Sequence, residues 1–172
     1  YYNSRSFHLG LFGYGWCTAF EKSLKKDPSG KVFLHDCLIS KPTEVHPEIT
    51  SDGLSVVVRD EDRLEFDKSG RLMRHIQRSK TTTFKYNSAG LLTEINEGDN
   101  GRMELSLRPP FHLVAKVITK KQDRMIAEAT YEYENENLSS VRSTEIPKQR
   151  LRYDSKNNLI HIETRTPMGT LE

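Results

Sequence analysis

The residue types that most often do chemistry are present in this chain, but their spacing does not assemble them. Six histidines (His8, His35, His46, His75, His112 and His161) never fall at metal-ligand spacing, and a zinc site needs several ligands converging on one point. Gly10, Gly13 and Gly15 do not follow the dinucleotide fingerprint: the order is reversed and no strand–helix–strand unit follows. There is no Gly-x-Ser-x-Gly elbow and no phosphate-binding loop. Glu128, Glu132, Glu134 and Glu136 are numerous enough for acid–base work, yet their spacing reads as the wet edge of a strand. The basic stretch Arg71, Arg74, Arg78, Lys80 and Lys85 lacks the interleaved stacking rings of a nucleic-acid surface. The expectation is therefore a non-enzyme with no catalytic residue, no metal and no cofactor.

Cys17 and Cys37 are the only cysteines. A disulfide between them suits an exported protein; two buried free thiols suit cysteine's use as a small hydrophobe. Both readings stay open. The ring-rich N-terminus (Tyr1, Tyr2, Phe12, Tyr14, Trp16) could be a carbohydrate platform. The favoured reading makes Phe12, Tyr14 and Trp16 an aromatic cap that plugs the end of a sheet, because terminal units of repeat arrays need cover.

The elements that would position these groups are legible as a repeat. A pattern of hydrophobic-x-aromatic, a four-residue turn and, two positions after the turn, a leucine recurs from Leu64/Phe66 to Leu72, Phe84/Tyr86 to Leu92, and Leu151/Tyr153 to Leu159. Leu105/Leu107 to Leu113 is a degenerate copy, and Tyr131/Tyr133 to Leu138 is one residue tighter. Anchors Phe66, Tyr86, Leu107, Tyr133 and Tyr153 lie 20, 21, 26 and 20 residues apart, a period at which each unit buries its apolar face only by stacking on its neighbours. Period-two alternation, such as Ala127, Ala129, Tyr131 and Tyr133 against Glu128, Thr130 and Glu132, argues strand rather than helix.

Turns open with Asp67, Asn87 or Asp154 and close with Gly70, Gly90 or Asn157. The first residue can bond backbone amides ahead of it, and the last accepts positive φ cheaply. Arg108-Pro109-Pro110-Phe111 predicts a different, stiffer turn. The fold expected is all-β: consecutive antiparallel hairpins in one continuous twisted sheet, with little or no helix. Residues 1–61 form an aromatic and glycine-rich segment with hairpins near Asp27-Pro28-Ser29-Gly30 and Asp52-Gly53, joined by a proline-containing loop over 37–50. Residues 62–172 hold about five hairpin repeats.

Hydrophobic residues make up 35% of the 172, and 26 basic against 24 acidic residues leave a net charge of +2. That balance gives no electrostatic case for nucleic acid or anionic lipid, and no apolar run reaches the roughly 20 residues of a membrane span. Starting at Tyr1 with neither an initiator Met nor a leader, the chain reads as part of a longer polypeptide.

Phe66-Asp-Lys-Ser-Gly-Arg-Leu72, Tyr86-Asn-Ser-Ala-Gly-Leu-Leu92 and Tyr153-Asp-Ser-Lys-Asn-Asn-Leu159 resemble Rhs or YD repeats, whose core reads roughly Tyr-Asp-x-x-Gly-x-Leu. Tyr2-Asn3-Ser4-Arg5-Ser6 and the glycine-rich stretch through Trp16 resemble the segment that introduces such repeats in bacterial Rhs proteins. The resemblance covers residues 1–24 and about 62–165, and leaves 25–61 without a family mark. It implies a wall segment of a hollow β-shell that encloses a C-terminal toxin or effector domain. The alternative it implies is cell-surface adhesion, with carbohydrate or protein binding. The partners implied are the remainder of the same polypeptide, and unpaired strand edges predict self-association. Localisation is expected to be bacterial and exported, at the cell surface or secreted. Asp27-Pro28 superficially matches the start of the family's autoproteolytic motif, but it reads better as a turn.

Overall fold

The computed structural model describes residue 2 and residues 8–39 and 41–165. Tyr1, Asn3, Ser4, Arg5, Ser6 and the end of the chain, including Leu171 and Glu172, lie outside the described residues. The short strands β1 (Leu9–Gly10) and β2 (Gly13–Tyr14) pair with each other. A three-stranded sheet follows: β3 (Lys22–Lys26), β4 (Val32–Asp36) and β5 (Thr43–Val45). Then come β6 (Glu48–Ile49), β7 (Ser55–Arg59), β8 (Asp62–Phe66), β9 (Leu72–Gln77), β10 (Lys80–Tyr86) and β11 (Leu92–Asn96). The remaining strands are β12 (Arg102–Arg108), β13 (Leu113–Lys121), β14 (Arg124–Glu134), β15 (Asn137–Ser143), β16 (Lys148–Tyr153) and β17 (Leu159–Arg165).

From β6 to β17, strand order in the sheet is strand order in the chain. The fold is all-β, and the helical content of the described residues is one 3-10 turn at Gly98–Asn100. The segment 37–50, expected as a connecting loop, contains β5 and β6. Thr43 and Val45, between Pro42 and Pro47, and Ile49, just after Pro47, are strand formers, and pairing with β4 and β7 recruits them.

Contacts divide the chain into two compact units, residues 17–102 (with Tyr1) and residues 2–16 with 103–172. This partition differs from the compositional one at residue 61. Composition marks where repeats become recognisable, whereas packing joins Tyr2 and residues 11–16 to the later hairpins.

One turn recurs. Asp67 N–H donates to the Arg71 carbonyl at 2.9 Å, and Gly70 N–H donates back to Asp67 at 2.9 Å. The same two bonds form at 87–91, 154–158, 27–31 and 50–54. Asp67, Asn87 and Asp154 each accept two backbone amides on Oδ1, from the second and fourth residues ahead. Gly70 (φ 76), Gly90 (φ 77) and Asn157 (φ 62) take the left-handed position that closes such a loop. Residues 25–61 therefore carry the repeat's turn twice, although Lys26 and Ile49 stand where the anchor ring would be. The tight copy at Tyr133 turns on Asn135 (φ 48) and Glu136 (φ 64), a two-residue loop with both φ positive. The third copy contains a cis Pro109–Pro110 bond, and His112 (φ 56) closes it.

After each of four turns the ladder slips by one residue. Phe66 pairs with Leu72 but Glu65 with Arg74; Tyr86 pairs with Leu92 but Lys85 with Glu94. Tyr133 pairs with Leu138 but Glu132 with Ser140, and Tyr153 pairs with Leu159 but Arg152 with His161. The extra residues are Met73, Thr93, Ser139 and Ile160, each directly after the leucine. A bulge of this kind inverts the alternation once. It explains why the second aliphatic follows at i+3 in Leu92/Ile95, Leu138/Val141 and Leu159/Ile162. In the first copy His75 takes that position and Ile76 falls on the opposite face, across from Arg63.

Candidate functional site

The anchor residues form a ladder of ring against leucine. In the first unit Phe66 and Leu72 are fully buried, and Leu64, Phe84, Leu92 and Ile95 join them in the core. Tyr86 is half-buried and its hydroxyl donates to the Leu72 carbonyl at 2.8 Å, tying one hairpin to the one before. Arg71 lies 5.1 Å from the Tyr86 ring centroid, a cation–π contact.

The second unit repeats the device. Leu113, Leu138 and Leu151 are buried, and the Tyr133 hydroxyl donates to the Val114 carbonyl at 2.7 Å. Leu107, Tyr133, Tyr153 and Leu159 are half-buried. Burial pushes the hydroxyls of Tyr86 and Tyr153 up to about 12 and raises those of Tyr131 and Tyr133. The hydroxyls of Tyr86, Tyr133 and Tyr153 are each held in a hydrogen bond and stay protonated at neutral pH.

Residues 8–16 run as a brace along this second unit rather than as a plug at an edge strand. Val114 N–H donates to the Leu11 carbonyl at 2.8 Å, and Tyr14 N–H to the Glu136 carbonyl at 3.2 Å. The Phe12 ring meets Tyr131 edge-on, 4.9 Å between centroids. Trp16 Nε1 donates to the Tyr153 hydroxyl at 2.9 Å. The Glu136 side chain bonds the Tyr14 hydroxyl, and the Tyr14 hydroxyl therefore holds its proton more tightly than usual. Tyr2 donates to the Asn157 carbonyl and accepts from Leu159 N–H, both at 2.7 Å. A Cβ at Gly13 (φ 96) would lie 2.5 Å from the Glu136 carbonyl oxygen, so only glycine lets the brace pass so close. The rings are consumed by packing.

A second brace lies in the first unit. Leu24 N–H donates to the Gly70 carbonyl at 2.8 Å, Ser23 bridges Arg71, and Phe20 packs on Phe84 at 5.9 Å. Cys17 and Cys37 are disulfide-bonded, with Cα atoms 5.7 Å apart, which resolves the alternative left open by the spacing. The bond closes the far end of the β3–β4 hairpin beyond the Lys22–Asp36 pair. No motif announces this brace; the nearest signal is the glycine at 70, whose neighbour is 46 residues earlier in the chain.

The charged residues pair with one another. Arg71 meets Asp67 at 2.6 Å, Arg78 meets Glu61 at 2.6 Å and Lys85 meets Glu94 at 2.8 Å. Glu65, almost wholly buried, lies between Arg63 at 2.7 Å and Arg74. Of the acidic run, Glu128 meets Lys116 at 2.8 Å and Glu132 meets Lys148 at 3.7 Å. His75 sits 3.4 Å from Asp62. Asp62 also lines an open cleft of about 610 Å³, together with Lys22, Leu34, Asp36, Leu64 and Arg78, among others. Lys22 holds Asp36 there at 3.2 Å. The described residues contain no cluster of three or more metal-ligating side chains. Among them, no helix is long and apolar enough to cross a membrane.

No family model matches the chain, and no curated protein matches it. Among solved structures it is similar to a chain of the Photorhabdus luminescens Tc holotoxin pore, at 17% identity and a TM-score of 0.44. The match covers 81% of this chain and 6% of that one.

Proposed function

We propose that the chain is a non-catalytic structural module: a segment of hairpin-repeat wall, resembling part of an Rhs shell, in a longer exported polypeptide that encloses a toxin or effector domain. The observation that carries this reading is that four hairpins reproduce one bulge and one ring–leucine pair, three of them on the same turn. The residues that define the repeat are thereby used in packing and in hydrogen bonds between hairpins. Units of this kind bury their apolar faces only on one another, which favours architecture over a local active site. The Cys17–Cys37 disulfide supports export to an oxidising compartment. Phe12, Tyr14 and Trp16 are engaged by Tyr131, Glu136 and Tyr153, so a glycan-binding module built on those rings has the weaker case.

Limited proteolysis of the whole polypeptide tests enclosure. The segment beyond the repeats resists cleavage under native conditions and becomes sensitive when Phe66→Ala and Leu72→Ala open the wall. Equal cleavage of that segment in the intact and the opened protein refutes enclosure. Substrate turnover by the isolated chain refutes the non-catalytic reading.

A further inference from the structure

The two sulfurs of the Cys17–Cys37 disulfide are unequally placed. Cys17 is buried, with 4% exposed. Cys37 is half-buried in the turn after β4, and the next two residues, Leu38 and Ile39, are exposed. The bond spans the open end of the β3–β4 hairpin, opposite the turn at 27–31. Non-covalent contacts attach that hairpin to the repeats: Leu24 N–H on the Gly70 carbonyl, the Ser23–Arg71 bridge, and Phe20 against Phe84. The strands it crosses, β8 and β9, are each paired on both sides within their own sheet. They keep those ladders when the hairpin leaves.

We propose that Cys37 is a thiol-exchange site through which a reducing compartment unlocks this brace while the hairpin repeats beneath it stay folded. The site rests on the fold alone. That the protein reaches such a compartment after an oxidising one rests on the export reading above.

Access helps decide which sulfur a thiolate attacks, and in the folded chain that sulfur is Cys37 Sγ. A bond forms between the incoming sulfur and Cys37, the Cys17–Cys37 bond breaks, and its electron pair leaves on Cys17, which takes a proton from water. A second thiolate then attacks the incoming sulfur and expels Cys37 as a thiolate. The two cysteines gain two electrons, and two external thiols are oxidised to one disulfide. Opening the bond returns to the unfolded hairpin the freedom that a closed loop of about 20 residues withholds. The open population of the brace therefore rises about a hundredfold. Sub-global openings of this kind need less free energy than unfolding of the whole chain.

Glutathione is the probe for the site. The oxidised protein is exposed to it, quenched in acid, alkylated in denaturant and mapped by mass spectrometry. Glutathione is expected on Cys37 and the alkyl group on Cys17, at a rate that stays flat in urea below the unfolding transition. Glutathione found on Cys17 instead, or a rate that climbs with urea in step with global unfolding, overturns the site. Hydrogen exchange of the oxidised and fully reduced protein tests the release. The amides of Leu24 and Leu34 should exchange about a hundredfold faster after reduction, with those of β8 and β9 still protected. The Cys17→Ser, Cys37→Ser variant should show the same pattern without reductant. Unchanged protection in the brace, or loss of protection in β8 and β9 together with it, overturns the release.

Discussion

Gly70→Ala tests whether the second brace, through Leu24, is integral to the repeat it crosses. Two costs are separable. The first is conformational: Gly70 has φ 76, and a left-handed alanine costs about 1–2 kcal/mol, offset by roughly 0.4–1 kcal/mol from the stiffer unfolded chain. The second is steric: a Cβ on Gly70 would sit 2.1 Å from the Leu24 carbonyl oxygen and 3.0 Å from its carbon. Backbone atoms cannot yield as a side chain can, so β3 must move away and stretch or lose the bond from Leu24 N–H to the Gly70 carbonyl. That bond contributes about 1 kcal/mol, and the buried groups it leaves unpaired add about 1–3 kcal/mol.

Two controls isolate the first cost. Gly53 (φ 80) and Gly90 (φ 77) have the same backbone conformation, but their added Cβ meets only the ends of Lys68 (3.5 Å) and Arg71 (2.9 Å). Urea melts followed by far-ultraviolet circular dichroism should place Gly53→Ala and Gly90→Ala within about 1 kcal/mol of the parent. Gly70→Ala should lie about 2–3 kcal/mol below them, or roughly 6–9 °C in Tm for a chain of this length. Equal losses at all three glycines would refute the claim that the brace presses on this turn.

Four further outcomes follow from the contacts described above. Phe66→Ala, at a fully buried ring, should cost about 3–5 kcal/mol in urea melts. The milder Tyr153→Phe should cost about 1 kcal/mol and shift the emission of Trp16, the one tryptophan, by removing its acceptor. Cys17→Ser with Cys37→Ser should lower stability by about 3 kcal/mol for a loop of 20 residues, and reductant should lower the parent chain by the same amount. Around Asp67, burial opposes ionisation, but Arg71 and the turn amides outweigh it and hold the carboxyl below its ordinary value. A depressed folded-state value adds stability that is present above the unfolded carboxylate range, near pH 4, and is lost as pH falls through the folded value. Melts between pH 6 and 2 should therefore show Asp67→Asn less sensitive to acid than the parent, with its turn intact because Asn87 makes the same two amide bonds.

How much of this was legible depends on the range of each interaction. Alternation and turn chemistry are local, so strands and turns from Asp62 to Leu159 could be read from neighbouring residues. The turns at 27–31 and 50–54 were passed over as repeat members because Lys26 and Ile49 replace the ring, although the amide bonds depend on Asp27 and Thr50, not on the ring. The braces were invisible for another reason. Leu24 with Gly70 and Trp16 with Tyr153 are contacts over 46 and 137 residues, and no period relates their positions. Composition points to Phe12, Tyr14 and Trp16 as a cap but cannot say that residues 8–16 lie along several hairpins.

The bulge unites the repeat with its one polar departure. In a regular strand, a leucine and an aliphatic three residues later would face opposite ways. The extra residue after each leucine brings Ile95, Val141 and Ile162 back to the anchor face, so the i+3 spacing is itself evidence of a bulge. The first copy breaks the rule at His75, which the bulge turns to the face of Leu64 and Phe66. There Asp62 stands 3.4 Å from its Nε2. Restoring the apolar residue, His75→Ile, leaves Asp62 without that partner beside the cleft. Removing both, with His75→Ile and Asp62→Thr, replaces the pair by groups that suit a strand. Replacing both partners of a buried polar pair can be neutral or stabilising, whereas removing one strands the other. The pair is only half-buried, with Asp62 34% exposed, so the double variant should be at least as stable as the parent in urea and the single variant less stable by about 1 kcal/mol. A single variant as stable as the parent would mean that His75 and Asp62 do not depend on each other.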